Sequence, residues 1–296
     1  LTAELPPIRA AIVHPCDEAS LKGAIEAKAL NLLTPILVGP SERIKSTAAD
    51  HNINIEGIEI EDTNHSHASA ERAVELVRSG QVEALMKGAL HTDEVMSAVV
   101  HKSRGLRTER RMSHIYLMDV PNYPKPLLIS DAAINISPDL ETKADIVQNA
   151  IDLAHAIGVE EPLVALLSAV ETIYPKIMST VEAAALCKMV DRGQITGAVI
   201  DGPLAFDNAI SKAAAETKGI VSKVAGNADI LIAPDLEAGN MMAKQLIYLA
   251  GSDAAGIVLG ARVPIMLTSR ADNILARTTS AALAKLYVHN QKTSAL

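Results

Sequence analysis

The chain is predicted to be an α/β protein built on mostly parallel sheet. Three observations point there. Short apolar strands alternate with helix-period segments along the whole length. Hydrophobic residues make up 49% of the 296, with one Phe and no Trp, so the core must be aliphatic. Ala, Val, Ile and Leu in that proportion suit buried parallel strands covered by helices. The length calls for two domains or one large α/β unit.

Arg9 to His14 reads as a buried strand closed by Pro15. A helix follows over residues 18–31, with Leu21, Ala24, Ile25 and Ala29 at spacings of three and four. Thr34 to Val38 is a second strand, stopped by Gly39-Pro40. Strand, helix and strand at this length form a βαβ unit. A helix is predicted over 67–79 with Gly80 as its C-cap. A strand over 84–86 runs into Lys87-Gly88, and a helix over 91–102 follows, with Thr92 as its N-cap. Strands over 113–118 and 126–130 flank a turn with Pro121 and Pro124, the pattern of an antiparallel pair. Helices are predicted at 143–158, 180–192, 207–216, 240–251 and 273–288, and strands at 163–167, 198–201, 230–233, 256–259 and 264–267.

The formal charge of −8 excludes a pervasive basic surface for nucleic acid, though not a local cationic pocket. Cys16 and Cys187 lie far apart without CxxC spacing, which points to reduced thiols and a cytoplasmic protein. Cys187, on an Ala-rich helix face, reads as a structural thiol. No signal peptide and no uncharged apolar run of about 18 residues is evident. The chain begins at Leu1, which leaves room for an upstream tag or domain.

In parallel sheets, ligands bind beyond the carboxyl ends of the strands. Five predicted strand ends are polar or Gly-containing: Met86-Lys87-Gly88-Ala89, Ile129-Ser130-Asp131, Ile200-Asp201-Gly202-Pro203, Ala233-Pro234-Asp235 and Leu267-Thr268-Ser269-Arg270. Each is either a site-forming loop or an ordinary polar strand end. There is no GxGxxG after the first strand, no GxxxxGK[ST], no HExxH and no GxSxG. His65 and His67 read as a solvated loop rather than a metal site, so no metal is expected. What remains is backbone amide, Ser hydroxyl, Lys and Arg, an inventory suited to an anionic substrate.

These residues resemble the phosphate acetyltransferase and phosphate butyryltransferase family. The likeness rests on five ordered stretches: Lys87-Gly-Ala-Leu-His91-Thr92, Ser130 to Asn135 with Pro138-Asp139, Val199 to Asp207, Leu231 to Asn240 with Lys244, and Leu267 to Asp272. It covers the chain from Arg9 to Tyr287. Asn135 to Lys143 with Gln148-Asn149 is closer to the butyryl-type branch and to short transacylases fused behind hydratase-like domains.

The resemblance implies an isocitrate/isopropylmalate dehydrogenase-like fold of two α/β domains around a cleft. Residues 1–136 with 259–296 would form the first domain and 137–258 the second. It implies a cytoplasmic homodimer that moves an acetyl or short acyl group between coenzyme A and phosphate. Coenzyme A or acyl-coenzyme A would be a substrate, with no permanently bound cofactor. Arg270 would grip phosphate, Ser269 would bond the thiol or carbonyl oxygen, and Asp272 would act as base, orient Arg270, or cap the last helix. The position seven residues after Ser269, where acetyltransferases carry an aspartate base, is Ala276 here. The helix arginine of acetyltransferases is also missing, at Met96-Ser97. Arg104, Arg107, Arg110 and Arg111 are replacement cations or a solvated basic loop. Lys87, His91 and Thr92 would add an anion site at a helix N-terminus. Asp201, Gly202, Asp207, Pro234, Asp235, Gly239, Asn240 and Lys244 would line the cleft or hold it in shape. Two other readings stay open: a binding paralogue for coenzyme A or acyl phosphate, and a metal-dependent dehydrogenase of the same fold.

Overall fold

The computed structural model describes residues 1–267 and 273–294. Its strands are β1 (Ile8–Val13), β2 (Leu33–Gly39), β3 (Glu59–Asp62), β4 (Ala84–Lys87), β5 (Ser113–Asp119), β6 (Leu127–Ser130), β7 (Leu163–Leu167), β8 (Val199–Leu204), β9 (Ile230–Ile232), β10 (Asp253–Leu259) and β11 (Ile265–Met266). Its helices are α1 (Glu18–Ala29), α2 (Ser41–Asp50), α3 (Ser66–Arg78), α4 (Thr92–Val99), α5 (Leu140–Ala156), α6 (Met178–Asp191), α7 (Phe206–Ile210), α8 (Lys212–Thr217), α9 (Leu236–Ala250) and α10 (Ile274–Ser294).

Two compact units form. One holds Leu1–Arg110 and Ala255–Leu296, the other Arg111–Ala254. The division falls at 110 and 255, where the sequence reading set 136 and 259. The second unit gains β5 and β6 because β5 pairs antiparallel with β6, and β6 pairs parallel with β9.

In the first unit the strand order is β3-β2-β1-β4-β11-β10. All neighbours are parallel except β10 and β11. Its interior is aliphatic: Ile8, Ile12, Leu21, Leu33, Ile36, Leu37, Leu85 and Met86 are buried. In the second unit the order is β5-β6-β9-β7-β8, parallel except at β5–β6. There Met118, Leu127, Ile129, Ala165, Leu204, Val224, Leu231 and Ala243 form the core. Among the described residues no helix is long and apolar enough to cross a membrane.

Two elements were absent from the sequence reading. Helix α2 is mostly polar and buries only Ile44 and Ala48. Strand β3 has no buried residue and is held by its ladder to β2. The single helix expected over 207–216 is two helices, α7 and α8. They part at Ser211, whose hydroxyl accepts the Ala214 N–H at 3.3 Å.

Candidate functional site

In the first unit the parallel register aligns several strand ends. Val13 pairs with both Val38 and Lys87, and Met266 pairs with Met86. His14, Gly39, Lys87-Gly88 and Leu267 therefore leave the sheet at the same edge. The turn after Lys87 is fixed by backbone: Gly88 N–H donates to Val13 O and Ala89 N–H to His14 O, both at 2.9 Å. A Cβ on Gly88 would lie 2.5 Å from Val13 O, so only glycine fits this approach. His14 is buried with φ of 55°, and its Nδ1 lies 3.2 Å from Ser69 Oγ. Burial pushes its imidazole below the usual value. Lys87 is 5% exposed, with Nζ 3.5 Å from Gly88 O.

Helix α4 opens at this edge. The N-cap is His91, not Thr92, which is the first helical residue. Asp93 and Glu94 follow in the first turn, and Glu94 Oε2 accepts the His91 N–H at 2.8 Å. That bond moves the cap one residue earlier. The hydrogen bond from Ser66, then the His91 N–H and the nearby His67, hold the Glu94 carboxyl below the usual carboxylate range, against the effect of its burial. His65 caps α3 through Nδ1, which accepts the Ala68 N–H. His67 Nδ1 lies 3.2 Å from Glu94. Both histidines thus have local protein partners.

The arginines differ in setting. Arg104 and Arg107 are exposed, and the Arg107 backbone forms a bridge to Ala261. Arg110 is partly exposed and ends the first unit. Arg111 opens the second with an exposed side chain; its N–H donates to Asp145 and its carbonyl accepts from Asn149.

Ser269, Arg270 and Asp272 lie outside the described residues. Asn273 stands just before α10, and its Oδ1 accepts the Ala276 N–H at 2.8 Å, a capping bond.

In the second unit the carboxyl edge is built around Asp131, which is 3% exposed. Oδ1 accepts the N–H groups of His114, Ala133 and Ile134. Oδ2 accepts the Asn135 N–H at 2.9 Å and its side-chain amide at 2.6 Å. One carboxylate thus shapes the whole turn after β6. The Ser130–Asp131 peptide is cis. Helix α9 packs directly on this turn. Asn240 Nδ2 donates to Ala132 O at 3.0 Å, and a Cβ on Gly239 would lie 2.2 Å from Asp131 O. Close backbone approach is thus the reason for glycine at 239. Asp235 is the N-cap of α9, accepting the Ala238 N–H at 2.8 Å. The helix starts at Leu236, so Gly239 and Asn240 lie within it rather than opening it.

His114 sits beneath that turn in β5. It is 2% exposed, and its ring meets Tyr116 edge-on at 4.4 Å. Burial lowers its pKa to about 4, with Asp131 opposing, so the imidazole is neutral at pH 7. His114 has no place in the sequence-based expectations, and Asp131 enters them only as part of the Ile129-Ser130-Asp131 strand end. A histidine inside an apolar strand, followed by a Ser-Asp strand end, was the available signal.

Beside the turn, the ends of β7 and β9 enclose a cavity of about 440 Å³ lined by Leu167, Ser168, Phe206, Pro234, Ala238 and Met242. Pro234 also bounds a small adjoining void reached by the Lys143–Glu182 ion pair. Asp201 Oδ1 accepts the Gly202 N–H at 2.8 Å, while Asp207 and Lys244 are exposed on α7 and α9. Cys187 Sγ lies 3.7 Å from Gly202 O, and burial pushes its thiol up to about 11. Among the described residues no group of three or more His, Cys, Asp or Glu is arranged to hold a metal ion.

Comparison with known proteins follows this geometry closely. A family model described as "Phosphate acetyl/butaryl transferase" matches residues 67–284. The phosphate acetyltransferase of Rhizobium meliloti is 61% identical over 281 residues, covering 95% of this chain and 89% of the relative. The phosphate butyryltransferase of Clostridium acetobutylicum is 42% identical over 275 residues, covering 93% and 91%. Among solved structures, a branched-chain phosphotransacylase from Enterococcus faecalis superposes with TM-score 0.82 at 28% identity, covering 95% and 99%. A 4-hydroxythreonine-4-phosphate dehydrogenase from Klebsiella pneumoniae shares the fold alone, with TM-score 0.57 at 13% identity over 95% and 99%.

Proposed function

The chain belongs to the phosphate acetyl/butyryl transferase family, and from that premise we propose that it transfers an acetyl group reversibly between coenzyme A and inorganic phosphate. It is an acyltransferase. The observation that carries this reading is the 61% identity to a phosphate acetyltransferase over nearly the whole chain. The butyryl-type leaning of residues 135–149 narrows accordingly: the acetyl-named relative is the more similar of the two reported above.

In the proposed reaction the coenzyme A thiolate attacks the carbonyl carbon of acetyl phosphate in a ternary complex. The C–S bond forms, the C–O bond to phosphate breaks, and phosphate leaves with the bonding pair. The reverse direction exchanges nucleophile and leaving group. Arg270 offers a two-point fork to the phosphate oxygens and neutralises their charge. Ser269 donates to the carbonyl oxygen as it becomes an oxyanion. Asp272 takes the thiol proton or orients Arg270.

Lys87 and the start of α4 supply the rest of the anion site. β4 and β11 run parallel with Met266 paired to Met86, so Lys87 and Leu267 leave the sheet at the same edge.

A thiol-detection assay with acetyl-, propionyl- and butyryl-coenzyme A plus phosphate tests the proposal, with acetyl-coenzyme A expected to react fastest. Equal rates for wild type and Arg270→Ala would sink it.

A further inference from the structure

One carboxylate in the first unit is tied to more of its surroundings than a helix cap needs. Glu94 Oε2 accepts the His91 N–H at 2.8 Å. Oε1 accepts Ser66 Oγ at 2.5 Å and lies 3.2 Å from His67 Nδ1. Ser66 and His67 open α3, whereas His91 caps α4. The same residue therefore joins the start of α3 to the last residue of the Lys87–His91 turn. At the other end of that turn, Val13 O and His14 O hold Gly88 and Ala89. His14 is itself bonded to Ser69 of α3. Helix α3 thus fixes the turn twice, through Ser69–His14 at its entry and through Ser66–Glu94 at its exit.

The carboxylate is not part of the core. It lies at the rim of a cavity of about 400 Å³ between α3 and α4, lined also by His67, Glu71, Ser97 and His101. Removing it opens no hole in the apolar packing. Its effect is confined to where the His91 N–H and the first turn of α4 point.

We propose that Glu94 is a positioning residue for phosphate: by clamping His91 to α3 it sets the angle at which Lys87, Thr92 and the N-terminus of α4 meet the anion. This rests on the phosphate-binding reading given above. Hydrogen bonds of this kind, with a charged acceptor, are the stronger class. An anion site loses affinity steeply when its donors turn away.

The experiment compares Glu94→Ala and Glu94→Gln with Glu71→Ala, a carboxylate on the same cavity with no bond to the turn. KM for phosphate and for acetyl-coenzyme A, kcat and Tm are measured for each. Glu94→Ala is expected to raise KM for phosphate about tenfold, a loss near 1.4 kcal/mol, with KM for acetyl-coenzyme A within twofold. Glu94→Gln keeps one acceptor oxygen and is expected to recover part of the loss. Glu71→Ala is expected to behave as wild type. Unchanged KM for phosphate, or an equal rise in both KM values with a fallen Tm, overturns the proposal. Phosphate binding by calorimetry is run on the same proteins. A wild type that binds phosphate without turnover removes the transferase reading alone, and the calorimetric ratio then decides Glu94. A wild type that binds no phosphate overturns both.

Discussion

The carboxyl edges of the two units solve different problems with the same topology. Both are parallel sheets whose strand ends run into short turns, and both use one carboxylate at a turn. In the first unit Glu94 stands at the rim, bonded to a helix cap, a hydroxyl and an imidazole. In the second unit Asp131 is buried and is spent on the peptide groups of its own turn. The first edge carries Lys87 and the capped start of α4; the second opens onto an apolar cavity. The difference teaches that a turn can be held from outside, by partners at the periphery, or from within, by a buried carboxylate that satisfies its own peptide groups.

The largest expected effect lies on the anionic side. Arg270→Ala should lower kcat/KM by roughly a hundredfold or more, the scale of losing a charge-stabilising donor. Arg270→Lys should recover little of it, because a point charge lacks the fork. Steady-state kinetics with saturating acetyl-coenzyme A checks both. Next comes Asp131→Ala, which strands buried N–H groups and should cost about 3 kcal/mol of stability. Urea denaturation reads this, and a change below about 1 kcal/mol would erase the contrast drawn with Glu94.

A smaller effect is expected from filling the apolar cavity. Ala238→Leu should change stability by less than about 1 kcal/mol in urea denaturation, because the cavity has room for the added methylenes. KM for phosphate should not move; if it does, the two edges are not specialised as described.

The last effect is spread over pH and comes from His114. Its folded pKa, about 4, lies below the usual imidazole value of 6.5. Between those values the unfolded chain binds a proton that the folded chain refuses. Stability from this group is therefore complete above pH 6.5 and lost as pH falls toward 4, with a slope of at most about 1.4 kcal/mol per pH unit. Urea midpoints between pH 7 and 4 should fall less steeply in His114→Gln; an unchanged slope would assign the acid sensitivity to other groups.

Much of this was legible in the chain because the signals are local. The aliphatic runs at Ile8–Val13, Leu163–Leu167 and Ile230–Ile232 read as strands since burial on both faces demands continuous apolar sequence. The polar strand end Ala233-Pro234-Asp235 is also a local signal, and Asp235 caps the helix that follows it. Strand β3 escaped because Glu59-Ile-Glu-Asp62 is polar and becomes a strand only by pairing with β2. The unit boundary at Arg110 escaped because strand partners are not encoded in spacing.

The sequence by itself determined the α/β class, most of the order of strands and helices, the family, and the residues proposed to meet phosphate. Each depends on identity and short-range order, which the chain carries before it folds. The tertiary structure decided that His91 rather than Thr92 caps α4 and that Asn273 caps α10. It also decided that Asp131 is consumed by its own turn, while Glu94 ties α3 to the Lys87–His91 turn. The physical reason is common to all four. A side-chain oxygen goes to whichever donor the folded backbone brings within about 3 Å, and that donor can lie 28 residues away, as Ser66 does from Glu94.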